Sequence, residues 1–330
     1  MGKATRQAFG ESLVRLGESH PEIVVLDADL SKSTKSELFA KKFPHRFLEM
    51  GIAEANMIGT AAGLSFTGKL PFLCSFGCFI TGRYDTIRLS VAYSQANVRI
   101  IGTHAGIGIG DDGYSQMGLE DVSLMRALPT MGVFQPMDAR ETELIMDYLV
   151  KDWKGPAYLR LTRQSLPDLY PAHVPFQPGK LMEIKSTLTK TGATPLVCIA
   201  TGACVAEAVQ AAAQLESQGI SMSVWNAHCL KPFDEATLFQ IVQQMILKTS
   251  SRTDQTPGLL ITIEDHSVIG GLGSCVAEGL SKLSHHPRLV TLGIQDVFAE
   301  SGEAAELYEK YGISANALVK RVIQELREKL

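Results

Sequence analysis

The sequence of 330 residues has no apolar run close to the roughly 18 uncharged residues that a membrane span requires, and no apolar signal-peptide core near its start. It also lacks an excess of either charge, because 31 Lys and Arg residues oppose 35 Asp and Glu residues for a net charge of −4. That balance gives no electrostatic basis for binding nucleic acid or an anionic membrane. We therefore expect a cytoplasmic protein whose partners are neither nucleic acids nor membranes.

The sequence also lacks the motifs that indicate a disulfide framework or a self-contained metal site. The six cysteines form no Cys-x-x-Cys pair and fall mostly inside apolar segments, which is typical of buried free thiols in a reducing compartment. There is no His-Glu-x-x-His helix, EF-hand loop, P-loop or Gly-x-Ser-x-Gly turn. The sequence therefore predicts no metal site built by this chain alone.

Short apolar runs alternate with segments of helical spacing through the first half of the chain. The apolar runs cover residues 23–26, 71–76, 98–102 and 157–161, and they are typical of buried parallel strands. Helical patterns cover residues 4–19, 54–64, 79–94 and 140–150. Strands that alternate with helices in this way favour a parallel sheet covered on both faces.

A proline-rich stretch then interrupts the periodicity before the alternation resumes. Later strands are predicted at 196–200, 222–225, 259–263 and 289–293, with helices at 203–218, 233–247 and 273–283 and two closing helices. We therefore predict two consecutive α/β domains, each with a mostly parallel sheet. Residues 1–168 form the first domain, residues 169–190 a linker, and residues 191–330 the second domain.

In open parallel sheets, ligands bind at the carboxyl ends of the strands. Five loops in the first domain should meet at that edge, and each carries polar or aromatic side chains. We therefore expect one site at this edge. Its candidate residues are Asp29, Ser33, Glu54, Phe76, Phe79, His104, Asp112 and Arg163.

Glu54 lies in the first turn of a predicted helix among the apolar residues Ile52, Met57 and Ile58. A helix N-terminus stabilises a carboxylate, whereas apolar neighbours favour its protonated form. A carboxyl group under these opposing influences suits proton chemistry on a bound heterocycle. The alternative is a glutamate that only complements the helix dipole.

Gly108, Gly110 and Gly113 match the Gly-x-Gly-x-x-Gly pattern of dinucleotide-binding domains. Asp111 and Asp112 would then lie where a pyrophosphate needs bare amide groups, and no apolar helix follows. A nicotinamide dehydrogenase is therefore disfavoured, and we interpret the segment as a flexible loop that presents His104 and Asp112.

Other candidate residues have simpler interpretations. Glu264-Asp265-His266 ends a predicted strand, and we interpret it as a loop and helix entry packed at a domain interface, with a functional role as the alternative. We interpret the remaining histidines as solvated. They are His20, His45, His173, His228, His285 and His286.

Together these residues resemble the transketolase family, and the resemblance covers nearly the whole chain. It implies a pyrimidine-binding domain followed by a transketolase C-terminal domain. The shared order and spacing of several short motifs carry it. They are Ala4-Thr5-Arg6, Asp27-Ala28-Asp29-Leu30-Ser31-Lys32-Ser33, Gly51-Ile52-Ala53-Glu54, Phe76-Gly77-Cys78-Phe79, Thr103-His104, Gly110-Asp111-Asp112-Gly113 and Thr162-Arg163-Gln164-Ser165-Leu166-Pro167.

The resemblance implies thiamine diphosphate as cofactor. Glu54 matches the family glutamate that hydrogen-bonds the aminopyrimidine ring and thereby favours its imino tautomer. Phe76 and Phe79 match the aromatic pair that packs on that ring, and Asp29 and Leu30 match residues close to the cofactor.

The resemblance also implies a phosphosugar substrate. His104 and Asp112 match catalytic residues that hydrogen-bond the sugar hydroxyls, while Arg6, Ser33 and Arg163 match a cradle for the terminal phosphate. Two positions depart from the family pattern. Position 82, often aromatic, is Gly82, and a family histidine position is Gln116.

Full-length family members also have an amino-terminal domain that binds the diphosphate through Mg²⁺, with a Gly-Asp-Gly motif and a downstream Asn. These 330 residues contain no such pair. The resemblance therefore implies the C-terminal subunit of a split transketolase, a transferase of two-carbon ketol units between phosphosugars. We expect it to be inactive alone, to take its Mg²⁺ ligands from a separate N-terminal subunit, and to form a heterotetramer.

Three other functions stay open. A β subunit of a 2-oxoacid dehydrogenase shares this two-domain layout, and residues 265–273 are similar to deoxyxylulose-phosphate-synthase-like enzymes. The candidate residues His104, Asp112, Arg6, Ser33 and Arg163 favour phosphosugars over the lipoyl-bearing partner of a 2-oxoacid dehydrogenase. A non-catalytic interaction subunit would not need Glu54 or the two phenylalanines. The sequence does not identify the sugar, and phosphopentose is the default, as in the pentose phosphate pathway.

Overall fold

The computed structural model describes residues 2–187, 194–250 and 258–327. Within them the chain forms two β-sheets, one of seven strands and one of five. Helices cover both sheets, and apolar side chains from strands and helices fill the space between them. The predicted fold class of two mostly parallel α/β domains is confirmed.

The first sheet has the strand order β10-β5-β6-β4-β3-β1-β2. All its pairs are parallel except β10 with β5. Its central strands are buried along their whole length, as their continuous apolar runs predict. The strands are β1 Ile23–Asp27, β2 Phe47–Glu49, β3 Leu70–Phe76, β4 Arg99–Thr103, β5 Gly132–Phe134, β6 Ala157–Arg160 and β10 Cys229–Lys231.

The second sheet has the order β12-β11-β8-β9-β7, and only β7 is antiparallel to its neighbour. Its strands are β7 Met182–Lys185, β8 Leu196–Ala200, β9 Ser223–Asn226, β11 Leu259–Ser267 and β12 Arg288–Ile294. Strand β7 lies inside the range predicted as a linker, and residues 188–190 of that range lie outside the described residues. The domain boundaries stay a prediction.

Thirteen α-helical segments connect the strands of the described chain. In the first domain they are α1 Thr5–Ser19, α2 Ser31–Thr34, α3 Glu37–Lys42, α4 Glu54–Ser65, α5 Gly77–Thr81, α6 Tyr84–Thr86, α7 Asp121–Ala127 and α8 Ala139–Lys151. In the second they are α9 Cys204–Ser217, α10 Glu235–Ser250, α11 Leu272–Leu280, α12 Ala304–Lys310 and α13 Ala315–Arg327.

One predicted helix is wrong in its details. The single helix expected over residues 79–94 is divided into α5, α6 and a π-helical segment, Ile87–Tyr93. Gly82 and Arg83 separate α5 from α6, because Gly82 ends α5 and the backbone of Arg83 leaves the helical region. Apolar spacing alone does not distinguish this broken course from one continuous helix.

Strand β10 joins the two domains, because it follows β9 in the second domain yet pairs with β5 at the edge of the first sheet. A buried ion pair also lies near this junction. Arg160 Nε donates to Asp121 Oδ2 at 2.8 Å, and its Nη2 donates to the backbone carbonyl of Asp265 at 3.0 Å. These contacts bring the second domain against the loops at one edge of the first sheet.

Candidate active site

Four adjacent strands of the first sheet, β6, β4, β3 and β1, end at one edge, and the candidate residues follow these ends. Parallel pairing aligns the ends, since Phe76 of β3 lies beside Thr103 of β4. Glu54 follows the edge strand β2, and Arg6 lies in the first turn of α1. The structure thus brings residues from distant parts of the sequence to the predicted edge.

Three rings stack at the centre of this edge. The Phe76 ring stacks with Phe79, at a centroid distance of 5.4 Å and an angle of 12°, and with His104, at 3.9 Å and 27°. Phe76 and His104 are buried, while Phe79 is partly exposed. A stack of this kind offers a flat apolar surface to a heterocycle.

The hydrogen bonds of His104 define its tautomer. Arg6 Nη1 lies 2.7 Å from His104 Nε2, and because a guanidinium only donates, Nε2 accepts. Nδ1 therefore carries the hydrogen and donates to Thr103 Oγ1 at 2.8 Å. The His104 backbone has φ +56°, an uncommon conformation for a residue with a side chain.

The imidazole of His104 is held neutral. Burial lowers its pKa to about 3, and the positive charges of Arg6, Arg163 and Lys35 add to the effect. Burial, and then the charge of Arg163, likewise lowers the pKa of Arg6 below its ordinary value. At neutral pH His104 is thus an uncharged hydrogen-bonding group at the edge of a positively charged patch.

Glu54 is buried, with 5% of its surface exposed. It is the first residue of α4, and no side chain caps that helix. Ser75 Oγ lies 3.5 Å from Glu54 Oε1, a long distance for a hydrogen bond. A buried carboxyl group with so weak a protein partner is suited to hydrogen-bond a ligand.

The predicted phosphate residues lie at the outer part of the edge. Arg6 Nη1 donates to the backbone carbonyl of Ser33 at 2.8 Å, so Ser33 contacts Arg6 through its main chain. Arg163 Nη1 donates to the carbonyl of Ile109 at 3.1 Å and lies 3.5 Å from Asp112 Oδ2. The structure therefore forms two contacting pairs, Arg6 with His104 and Arg163 with Asp112.

Asp29 and Leu30 lie at the same edge without a side-chain hydrogen bond to the other candidates. Asp29 is exposed with φ +63°, and its backbone N–H donates to Glu49 Oε1 at 2.8 Å. Leu30 packs against the apolar cluster that contains Phe76. Gln116, at a family histidine position, is partly buried in a short turn of the glycine-rich loop.

Sequence reasoning missed Asp27, which orders the loop that carries Ser33. Its carboxylate accepts hydrogen bonds from Leu30 N at 2.7 Å, Thr34 Oγ1 at 2.7 Å and Ser36 Oγ at 2.8 Å. Burial raises the pKa of Asp27 to about 6, although these hydrogen bonds oppose the shift. The sequence feature that could have identified Asp27 is its position at the end of an apolar strand, directly before a polar loop.

The expectation that His228 is solvated is wrong. His228 is buried, its Nε2 accepts a hydrogen bond from Gly179 N at 3.2 Å, and its Nδ1 lies 3.2 Å from Glu141 Oε1. Strand β10, which begins at the next residue, brings His228 against the first domain.

Glu264-Asp265-His266 does not form the expected loop and helix entry, because all three residues lie within β11 and are buried. The interface part of the interpretation is confirmed for Asp265, which contacts the first domain. Among the described residues no group of three or more His, Cys, Asp or Glu side chains could hold a metal ion. Nor does the described part of the chain contain a helix long and apolar enough to cross a membrane.

Comparison with known proteins agrees with this geometry. Residues 1–168 match the family model of the transketolase pyrimidine-binding domain, and residues 187–318 match that of the transketolase C-terminal domain. The chain belongs to the transketolase family. Its predicted resemblance is thereby confirmed, and the family implies a transferase that uses thiamine diphosphate.

Two relatives of similar length are themselves parts of transketolases. A Methanocaldococcus jannaschii protein whose name includes the words transketolase C-terminal section is 40% identical over 327 residues, covering 99% of this chain and 97% of that protein. A 6-deoxy-6-sulfo-D-fructose transketolase subunit of Clostridium sp. is 37% identical over 325 residues, covering 98% and 94%. The chain spans about half the length of the mammalian transketolases that it also matches.

The structure resembles a solved transketolase-family chain of the same extent. That structure is described as a split gene transketolase in an inactive beta4 tetramer. It is 41% identical with a TM-score of 0.84, and each chain is covered over 100% of its length.

Proposed function

We propose that this chain is the C-terminal subunit of a thiamine-diphosphate-dependent transketolase that moves a two-carbon ketol unit from a ketose phosphate to an aldose phosphate. The observation that carries the proposal is the buried Glu54 carboxyl group, which has only a weak protein partner, at the same strand edge as the Phe79–Phe76–His104 stack. The phosphopentoses of the pentose phosphate pathway are the proposed default substrates, and the proposed location is the cytoplasm.

The residues fit the aminopyrimidine half of thiamine diphosphate. Glu54 offers a buried hydrogen-bond partner for a ring nitrogen, Phe76 and Phe79 offer an apolar face, and Asp29 and Leu30 border the same edge. When bound, this cofactor supplies the nucleophilic carbon that takes up the two-carbon unit. The proposed role of Glu54 is to hold a proton at the pyrimidine nitrogen in a pocket from which water is excluded.

His104 and Asp112 are the proposed contacts of the sugar hydroxyls. The Asp112 carboxylate can accept from a hydroxyl, and His104 Nε2 can accept from one in exchange for its hydrogen bond from Arg6. Arg6 and Arg163, with Ser33 of α2, are proposed to bind the terminal phosphate. Arg163 can exchange its exposed contact with Asp112 for a phosphate oxygen, because that contact is long and partly solvated.

A separate chain is proposed to complete the site. It would supply the diphosphate-binding surface and the ligands for Mg²⁺, and two such pairs would form a heterotetramer. The relatives described as a subunit, a C-terminal section and a split-gene product support this part of the proposal. Large exposed apolar side chains near α4 also support it, since Ile52 is 82% exposed and Tyr93 84% exposed.

A sulfonated ketose is a second candidate donor, and one observation favours it. The relative of Clostridium sp. is named for 6-deoxy-6-sulfo-D-fructose and matches nearly the whole chain. Arg6 and Arg163 suit a sulfonate as well as a phosphate, because both groups present several acceptor oxygens. Comparing kcat/KM for the two donors distinguishes these candidates.

The proposal is tested with three proteins mixed with a diphosphate-binding partner subunit, thiamine diphosphate and Mg²⁺: the natural chain, Glu54→Gln and Glu207→Gln. Glu207 is a partly buried carboxylate that accepts a hydrogen bond from Ala315 N, away from the site. We expect ketol transfer with the natural chain and with Glu207→Gln, and none with Glu54→Gln. Normal turnover by a folded Glu54→Gln protein would refute the cofactor assignment.

A further inference from the structure

The loop between His104 and Gly113 carries the proposed sugar-binding residues but has little regular structure of its own. It contains one short 3₁₀ turn, Ile107–Ile109, and three glycines with positive φ, Gly106 at +85°, Gly110 at +82° and Gly113 at +75°. Glycine lets such a backbone form, but it also permits many other conformations. Something outside the loop must therefore select the conformation that the structure shows.

Asp265 on β11, in the second domain, contacts the loop backbone at two consecutive residues. Its Oδ1 accepts a hydrogen bond from Ile107 N at 2.8 Å, and its Oδ2 accepts one from Gly108 N at 3.2 Å. Tyr308 of α12 donates its hydroxyl to the same Oδ2 at 2.8 Å. Asp265 is 1% exposed, so these hydrogen bonds form away from water, where a carboxylate binds N–H and O–H groups strongly.

The shape of the loop also fits the second domain. A Cβ atom at Gly106 would come within 2.2 Å of Asp265 Oδ2, and one at Gly113 within 2.4 Å of Ser301 Oγ. A Cβ at Gly110 would lie 3.2 Å from the Gly302 carbonyl oxygen. At these three positions the loop backbone lies very close to the second domain. A residue with a Cβ atom would therefore have to shift the neighbouring group of that domain.

The neighbouring residue shows that burial in the second domain does not by itself create such a contact. Glu264 is equally buried, but its carboxylate accepts hydrogen bonds from Leu272 N at 2.7 Å and Gly273 N at 2.8 Å, at the start of α11. Both partners belong to the second domain. Two adjacent carboxylates thus bind equivalent pairs of backbone amides, and only Asp265 reaches the loop that carries His104 and Asp112.

We propose that Asp265 is a positioning residue, by which the second domain fixes the His104–Gly113 loop of the first domain in its sugar-binding conformation. The effect on catalysis rests on the function proposed above, whereas the anchoring of the loop does not. In Asp265→Asn, the NH₂ group of the side chain replaces one carboxylate oxygen and faces either Gly108 N–H or Ile107 N–H. One of these backbone donors therefore loses its acceptor.

The anchoring is tested by hydrogen exchange on the chain as purified, without cofactor or partner. Peptides covering residues 104–118 and 268–280 are followed in the natural chain, Asp265→Asn and the matched control Glu264→Gln. We expect Asp265→Asn to speed exchange in the loop peptide by about tenfold or more while leaving the α11 peptide unchanged, and Glu264→Gln to do the reverse. Unchanged loop exchange, or equally faster exchange in both peptides, would overturn the proposal.

Tyr308→Phe provides a milder variant should Asp265→Asn fail to fold. It removes one of the three hydrogen bonds to Asp265 and keeps the ring in place. A smaller increase in exchange confined to the loop peptide supports the anchoring, and no increase contradicts it.

The catalytic consequence is measured in the reconstituted mixture, well below the melting temperature of every variant. We expect Asp265→Asn to lower kcat/KM for the sugar by about tenfold or more, mainly through KM, with the apparent affinity for thiamine diphosphate unchanged within about twofold. Equal losses for sugar and cofactor would show a general structural role. If the natural mixture transfers no ketol unit, the proposed function fails, while the exchange result still decides whether Asp265 anchors the loop.

Discussion

Buried, neutral His104 should make the stability of the protein depend on pH. Burial, aided by Arg6, Arg163 and Lys35, lowers the pKa of His104 to about 3 from the ordinary 6.5. Between these values the unfolded chain holds a proton on this imidazole and the folded chain does not. The free energy of unfolding is therefore highest above pH 6.5 and falls as the pH drops toward 3.

The expected magnitude follows from the unfolded pKa. Each pH unit below 6.5 costs ~1.36 kcal/mol until the folded pKa is reached, so lowering the pH from 7 to 5 should remove about 2 kcal/mol of stability through His104. Other buried groups also titrate, since burial raises the pKa of Asp27 to about 6 and of Glu264 to about 7. A variant without the imidazole is therefore needed to isolate its contribution.

His104→Asn keeps a hydrogen-bond acceptor for Arg6 but does not titrate. Urea unfolding of both proteins at pH 7, 6 and 5, at equal protein concentration, gives the difference in pH dependence. We expect the natural chain to lose about 2 kcal/mol more than His104→Asn between pH 7 and 5. Parallel pH dependences, or an NMR titration of the His104 ring with a pKa near 6.5, would refute the reasoning.

Three further substitutions probe other parts of the structure. Arg163→Ala should raise KM for phosphorylated acceptors by about tenfold and leave glycolaldehyde transfer nearly unchanged, and an equal loss with both acceptors would remove Arg163 from phosphate binding. Arg160→Met leaves Asp121 buried without its ion pair and should cost about 3–5 kcal/mol in urea unfolding, so a loss below about 1 kcal/mol would contradict the account. Gly102→Ala places a Cβ atom 2.2 Å from Tyr158 Oη and should cost about 1–3 kcal/mol, which calorimetry would show as a lowered Tm, while an unchanged Tm would disprove the clash.

The sequence could predict the central strands and the edge at which the candidate residues meet. Strands such as β3 are buried along their whole length, so their apolar runs have no competing interpretation as amphipathic helices. The parallel arrangement then determines that the loops after β1, β3, β4 and β6 lie at one edge. That inference needs only the pattern of apolar residues and the geometry of parallel sheets.

The pairing of individual side chains could not be predicted in this way. Arg6 contacts His104 across 98 positions of sequence, and Asp265 contacts Ile107 across 158. Neither pair leaves a local pattern, because each depends on how α1 and the second domain pack against the loops. Strand β10 was missed for a related reason, since three residues at a sheet edge form a strand only through their neighbour β5.

The central claim is that this chain contributes half of a transketolase active site. The most direct test measures ketol transfer from xylulose 5-phosphate to ribose 5-phosphate, with thiamine diphosphate and Mg²⁺ present. It compares this chain alone, a diphosphate-binding subunit alone, and the mixture of the two. We expect activity only in the mixture, and dependent on thiamine diphosphate. Transfer by this chain alone would contradict the claim, as would a mixture that forms a complex yet transfers neither phosphorylated nor sulfonated sugars.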